Sequence, residues 1–203
     1  TWFLGRRYYL ELGHRFRDVA IRHGAVDGIP FITDRFTGAE VPGVNGFTTH
    51  APRISLIYST YDTKTLPTYG GYARFTFEPT IKALGGAADY RHYELELKGY
   101  VPHDDDKRFT TVFRAMYNQT LGDSTADKVP FLEQSILGGE NTLRGYGRNR
   151  FIDNSFLLLN LEERIRLFRW EVFDVTADWE VAPFMDLGAV MENLGTLAWS
   201  NFE

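Results

Sequence analysis

Apolar and polar residues alternate along most of this chain with the two-residue period of a β-strand. Tyr8, Leu10, Leu12 and Phe16 interleave with Arg7, Tyr9, Glu11, Arg15 and Arg17. Past Asp18 the apolar phase moves to Val19 and Ile21, a slip that a β-bulge would produce. Ile54, Leu56 and Tyr58 then alternate with Arg53, Ser55 and Ser59, and Phe75 and Phe77 with Arg74, Thr76 and Glu78. Tyr93, Leu95, Leu97 and Val101 oppose His92, Glu94, Glu96 and Lys98; Phe109, Phe113 and Tyr117 oppose Arg108, Thr110 and Arg114. Leu157, Leu159, Leu161, Ile165 and Leu167 oppose Asn160, Glu162, Arg164 and Arg166. Last, Phe173, Val175, Trp179, Val181, Met185 and Leu187 oppose Asp174, Thr176, Asp178, Glu180 and Asp186. No helical period of comparable strength competes. The pattern predicts about seven strands joined by hairpin-type connections, an antiparallel meander.

The connections differ in length. Those near residues 62–70, 102–107 and 168–171 read as short turns, those near 24–52 and 120–152 as long polar loops rich in Gly, Pro, Asp and Thr. Outer-membrane barrels sort their loops in this way, with tight turns at one end and long loops at the other. Several strands run nearer ten residues than the five or six usual in soluble sheets, as a tilted membrane crossing requires. One face of every strand carries Leu, Phe, Tyr, Val and Trp; the other mixes Arg, Lys, Glu and Asp, as a wet or ion-paired lumen would. Aromatic content is high, at 15% of 203 residues. The fold expected is all-β, an antiparallel up-and-down transmembrane β-barrel.

Composition narrows the chemistry. The formal net charge of −5 gives no broad basic surface for nucleic acid. There is no Cys, hence no disulfide framework, thiolate metal site or Cys nucleophile. Asp104-Asp105-Asp106 lacks the glycine and spaced ligands of a calcium loop and reads as a solvated turn. His14, His23, His50, His92 and His103 show no paired ligand spacing. Glu94 with Glu96, and Asp178 with Glu180, share strand faces as paired glycosidase carboxylates do, but such pairs recur on every strand and read as lumen lining. No nucleophile elbow is present. No catalytic residue, cofactor or metal is expected.

Within the second long loop, Gly138-Gly139-Glu140-Asn141-Thr142-Leu143-Arg144-Gly145-Tyr146 sets a cation and an aromatic around a glycine. That segment, together with Tyr100 to Lys107, Val129-Pro130-Phe131 and an earlier Asp62…Pro67…Gly70 spacing, resembles the BamA/TamA-type outer-membrane assembly and translocation superfamily, the bacterial surface antigen family. The resemblance covers the chain from about Arg53 onward, and the Gly-Gly…Leu-Arg-Gly-Tyr segment is its most specific part.

The resemblance implies a sixteen-stranded barrel with a long extracellular loop folded into the lumen. It implies that the Arg144-Gly145-Tyr146 tip reaches acidic residues on the next two strands, here Glu162 and Asp186, with Tyr146 packed on the barrel wall and Gly138 and Gly139 as the loop hinge. The alternation puts Glu162 and Asp186 on the polar face independently, and Glu163 on the apolar one. Seven strands cannot close such a barrel, so residues 1–203 are expected to be part of a C-terminal barrel domain, without its first and last strands or periplasmic repeats. The implied activity is insertion or translocation of proteins at the outer membrane of a Gram-negative-type bacterium, with an organelle outer membrane the lesser alternative. The implied partners are lipids and lipopolysaccharide, unfolded outer-membrane or secreted clients, and accessory periplasmic or lipoprotein subunits. Arg148 and Arg150 read as loop charges before lipopolysaccharide contacts. Two alternatives stand beside this reading: a related barrel serving as export pore or anchor for a fused effector such as a lipase, and a soluble β-rich carbohydrate-active enzyme or binding module.

Overall fold

A computed structural model of the chain describes residues 2–23, 28–122, 128–173, 175–198 and 202. Its strands, in order, are β1 (Trp2–Phe3), β2 (Tyr8–Val19), β3 (Phe47–Ser59), β4 (Gly70–Thr80), β5 (Tyr90–Pro102), β6 (Phe109–Gly122), β7 (Ser135–Leu137), β8 (Phe151–Asp153), β9 (Ser155–Val172), β10 (Val175–Val181) and β11 (Phe184–Met191). One helical turn, α1 (Ile32–Arg35), and three 3-10 segments complete the described elements. A single antiparallel sheet runs β1-β2-β3-β4-β5-β6-β9-β10, with β11 also on β9; β7 and β8 form a separate pair.

β10 and β11 are one strand with a break. Val181 lies opposite Ile165 and Phe184 opposite Glu162, so the register carries straight across Ala182 and Pro183. Proline has no N–H for the ladder, although the Pro183 carbonyl still accepts from the Glu163 amide at 3.0 Å. Joined across that break, the long strands match the alternation in order and parity.

The two faces of the sheet are opposite in character, and the polar one is covered. Ser55, Thr76, Glu78, Glu96, Thr110, Asn118 and Thr120 are buried, while Leu12, Phe16, Ile54, Leu56, Phe75, Leu97, Phe113, Leu159 and Leu161 are exposed. A water-soluble sheet would reverse this, because apolar burial drives its folding. On the bare face Phe113 lies across Gly99, where an added Cβ would meet the ring at 2.0 Å. The aromatic fills the place of the missing side chain.

Several boundaries differ from expectation. β2 and β3 stay in unbroken register from Tyr8 opposite Tyr58 to Val19 opposite Phe47, so there is no bulge near Asp18. The inner face itself turns apolar there, with Phe47 buried. β3 begins at Phe47, inside the region expected to be loop; Phe47, Thr49 and Ala51 are buried and alternate with Thr48, His50 and Pro52. β9 passes through the expected turn at 168–171 and runs to Val172, turning at Phe173 (φ 50°); Asp174 lies outside the described residues. A bulge does occur here. Trp179 faces Phe168 while Glu180 faces Arg166, which leaves Leu167 without an opposite residue. That extra residue keeps Phe168 and Trp170 on the same face as Leu161 and Ile165.

The connections after β2, β4 and β6 lie at one end of the sheet, and those after β3, β5 and β9 at the other. Length separates the ends except in the middle, where 81–89 and 60–69 are comparable. Turn 60–69 is organised by Asp62, whose carboxylate accepts from the Thr68 and Tyr69 amides and from Lys107 Nζ at 2.8 Å. Among the described residues the sheet does not close; only an Ala189–Phe202 bridge extends beyond β11.

Candidate functional site

The connection between β6 and β9 folds back over the polar face. Its base is fixed by β7: Ser135 Oγ donates to Asn118 Oδ1 at 2.6 Å, and Thr120 Oγ1 donates to the Glu133 carbonyl at 3.3 Å. β7 pairs with β8 from Ser135 opposite Asp153 to Leu137 opposite Phe151. Between them Gly138 (φ 110°) and Gly139 (φ 102°) take the left-handed conformation glycine permits. A Cβ on Gly138 would come within 2.4 Å of the Gly147 carbonyl, so the two arms of the loop meet there. Bonds from Gly139 N to Tyr146 O, Thr142 N to Gly139 O and Tyr146 N to Leu143 O close the tip on itself.

Leu143 carries the tip onto the wall. It is 1% exposed and clusters with Leu137, Met116, Phe156 and Leu158. Gly188 of β11 makes room: a Cβ there would stand 3.0 Å from Leu143 Cδ2.

The next residue, Arg144, is held by both carboxylates. Its Nε and Nη2 donate to Asp186 Oδ2 and Oδ1 at 2.9 and 2.7 Å, and its Nη1 donates to Glu162 Oε2 at 2.9 Å. The Arg144 amide also donates to Asp186 Oδ2 at 3.0 Å. The guanidinium carbon stands 3.6 Å from the centroid of the Phe184 ring, a cation–π stack. A planar guanidinium suits this set because it offers a fork and a stacking face together. Each carboxylate has a further partner: Asn160 Nδ2 donates to Asp186 Oδ1 at 2.7 Å and Arg164 Nε to Glu162 Oε1 at 2.8 Å. Asn160 and Arg114 also donate to the Thr142 and Asn141 carbonyls at 3.0 and 2.7 Å. The bonds to Asp186 raise the Arg144 pKa above its ordinary value, so it stays cationic throughout the working range.

Other expected residues sit differently. Gly145 is outside the left-handed region, and a Cβ there would touch nothing within 4 Å, so glycine is not required at the tip. Tyr146 sets its ring edge-on to Phe151 of β8, centroids 5.1 Å apart, so the loop's own hairpin supports it. Glu163 lies on the bare face and accepts from Thr111 Oγ1 at 2.6 Å. Arg148 pairs with Glu140 within the loop. Asp104 serves its own turn by accepting from the Phe109 amide. Among the described residues no three His, Cys, Asp or Glu side chains gather as a metal site would require.

Beside the tip lies a cavity of about 430 Å³ lined by Lys98, Arg114, Arg144, Asn160, Glu162 and Arg164 among others. Cations and carboxylates dominate its lining, with Tyr100, Val112 and Thr142 between them. Sequence reasoning gave no contact role to Leu143, Asn160, Phe184 or Gly188, and it missed Glu133, which meets Arg15 and Arg17 of β2. Arg15 and Arg17 are marked by the polar phase of β2, but nothing in that phase indicates a loop residue as their target.

The chain matches the family model of the Omp85 superfamily domain over residues 9–201. Its fold is similar to the crystal structure of BamA from Haemophilus ducreyi lacking POTRA domains 1–3, with a TM-score of 0.62 at 15% identity. That likeness covers 89% of this chain and 38% of that one, so the chain spans well under half of the BamA polypeptide. With a family match over nearly the whole chain and a polar-faced antiparallel sheet of the BamA type, this chain belongs to the Omp85 superfamily.

Proposed function

We propose that this chain forms part of the wall of an outer-membrane β-barrel that inserts or translocates proteins, and that Arg144 locks a loop within its lumen. The exposed apolar face is suited to lipid and the buried polar face to a lumen, the arrangement of a transmembrane barrel. A soluble carbohydrate-active enzyme or binding module has no use for an apolar surface of this extent. The chain is the wall segment of a longer barrel domain, and the work is mechanical: a shape held by ion pairs, with no bond made or broken. Clients, accessory subunits and lipopolysaccharide are the partners this reading assigns.

The observation that carries it is the Arg144 set, in which one guanidinium joins the loop to β9 and β11 at once. Such charge-assisted, bidentate bonds are the stronger class of hydrogen bond. The full-length protein carrying Arg144→Ala keeps its strand content, exposes the loop to protease and lowers the yield of folded, heat-modifiable outer-membrane proteins in a depletion strain. Unchanged protease resistance together with full activity refutes the lock.

A further inference from the structure

The same loop meets the sheet a second time, far from Arg144, and the acid there is the deeper one. Glu133 is 6% exposed and closes the 3-10 turn Phe131–Glu133. Arg15 donates to it through Nη1 at 3.0 Å and Nη2 at 2.7 Å, Arg17 Nη1 donates at 3.0 Å, and Tyr90 Oη donates at 2.8 Å. Arg17 Nη1 also reaches the Leu132 carbonyl at 3.0 Å. Behind them Glu78 of β4, 1% exposed, accepts from Arg15 Nε at 2.6 Å and Arg53 Nε at 2.7 Å. The Arg15 guanidinium therefore lies between two carboxylates, one from the wall and one from the loop.

Topology gives this cluster its meaning. β2 and β9 are separated in the sheet by β3, β4, β5 and β6. Glu133 is tied to β2 and β5, Arg144 to β9 and β11, and the two belong to one connection. We propose that the loop is a strut between distant strands of the wall, with an ion-pair fixture at each end, and that Glu133 is the positioning residue of the second end. This rests on the reading of Arg144 as a lock, and it adds that the two ends hold independently, Glu133 setting the position of β7 while Arg144 sets the tip.

No Cys lies within these 203 residues, and once any Cys outside them is replaced by Ser each end is separately readable. In the full-length protein in bilayers, Ser135→Cys reports the Glu133 end and Leu143→Cys the tip, both positions being buried. Loss of a charge-assisted anchor is expected to speed maleimide labelling at its own end by about tenfold or more. Glu133→Gln, nearly isosteric, should speed labelling at Cys-substituted position 135 and leave position 143 within about twofold, and Arg144→Ala should do the reverse. Glu133→Asp, which keeps the charge on a shorter arm, should restore part of the protection. If Glu133→Gln does not reach the heat-modifiable folded form, Arg17→Gln removes one donor and is read in the same way, with a smaller rise expected. Unaltered protection at position 135, or release of both ends by either substitution, overturns the strut. Release at 135 by Glu133→Gln with no effect of Arg144→Ala would leave the Glu133 fixture standing and remove the lock at Arg144.

Discussion

At Arg144 a single side chain meets four requirements, two acceptors on Asp186, one on Glu162 and a ring face on Phe184, and its own backbone amide turns toward the Asp186 carboxylate as well. Lysine keeps the charge and loses the fork and the stack. Arg144→Lys is therefore expected to behave closer to Arg144→Ala than to the parent in loop proteolysis. Glycine positions separate by the same logic. Gly145→Ala should change stability by less than about 0.5 kcal/mol, as surface substitutions without strain do, whereas Gly138→Ala brings a Cβ against a carbonyl at positive φ and should cost clearly more in denaturant unfolding. Glu133 adds a pH dependence. Burial alone would raise its pKa, but the bonds from Arg15, Tyr90 and Arg17 outweigh burial and hold the carboxyl below its usual range. A depressed carboxyl stabilises fully above its unfolded value and loses that contribution as pH falls through the folded one. Pepsin cutting around 131–137 should thus stay slow through pH ~4.3, the ordinary Glu value, and rise only below it; cutting that sets in above that value counts against the buried pair. Arg144, Glu162 and Asp186 were legible because the family resemblance pointed to them together and strand parity set both acids on the polar face. Glu133 was not, since it sits where no period runs and its donor Arg15 lies 118 positions away.

Strands as elements were read well in kind and less well at their ends. Alternation survives because lipid on one side and a polar interior on the other impose it along each crossing. It misled where the interior itself changed character, at Val19 and Phe47, and where a bulge placed Leu167 and Phe168 side by side and so mimicked the end of a strand. The bulge makes a test. Deleting Leu167, the extra residue, should leave a plain register with Phe168, Trp170 and Val172 still outward and Arg169 and Glu171 still inward, to be seen as unchanged labelling at Cys-substituted 169 and 170; inverted labelling there would count against the bulge. The bare face makes another: Leu97 and Leu159 are 41% and 42% exposed on it, and arginine at either should cost about 2–4 kcal/mol at mid-bilayer in folding titrations into lipid. Near-zero cost at both would place that face in water.

For the whole molecule, loop sorting, strand length and the mixed charges on the polar face of each strand already indicated a membrane barrel, in which lipid outside and a wet lumen inside accommodate both faces. What no one-dimensional pattern carries is the path of the loop across the polar face, since a contact between β2 and residue 133 arises only when the sheet has formed. The exposed face also sets the handling of the protein: extraction from membranes should require detergent, and release by high salt alone would contradict the lipid-facing assignment. The break at Ala182 and Pro183 divides one strand into two spans with different duties. β11 is held on one side by β9 and across its face by Arg144 and Leu143, whereas among the described residues β10 pairs with β9 alone. The break is therefore expected to act as a joint. Amide exchange should be slow in Asp186 to Val190 and fast in Thr176 to Glu180, and a load applied at Phe173 would peel β10 while β11 stayed seated.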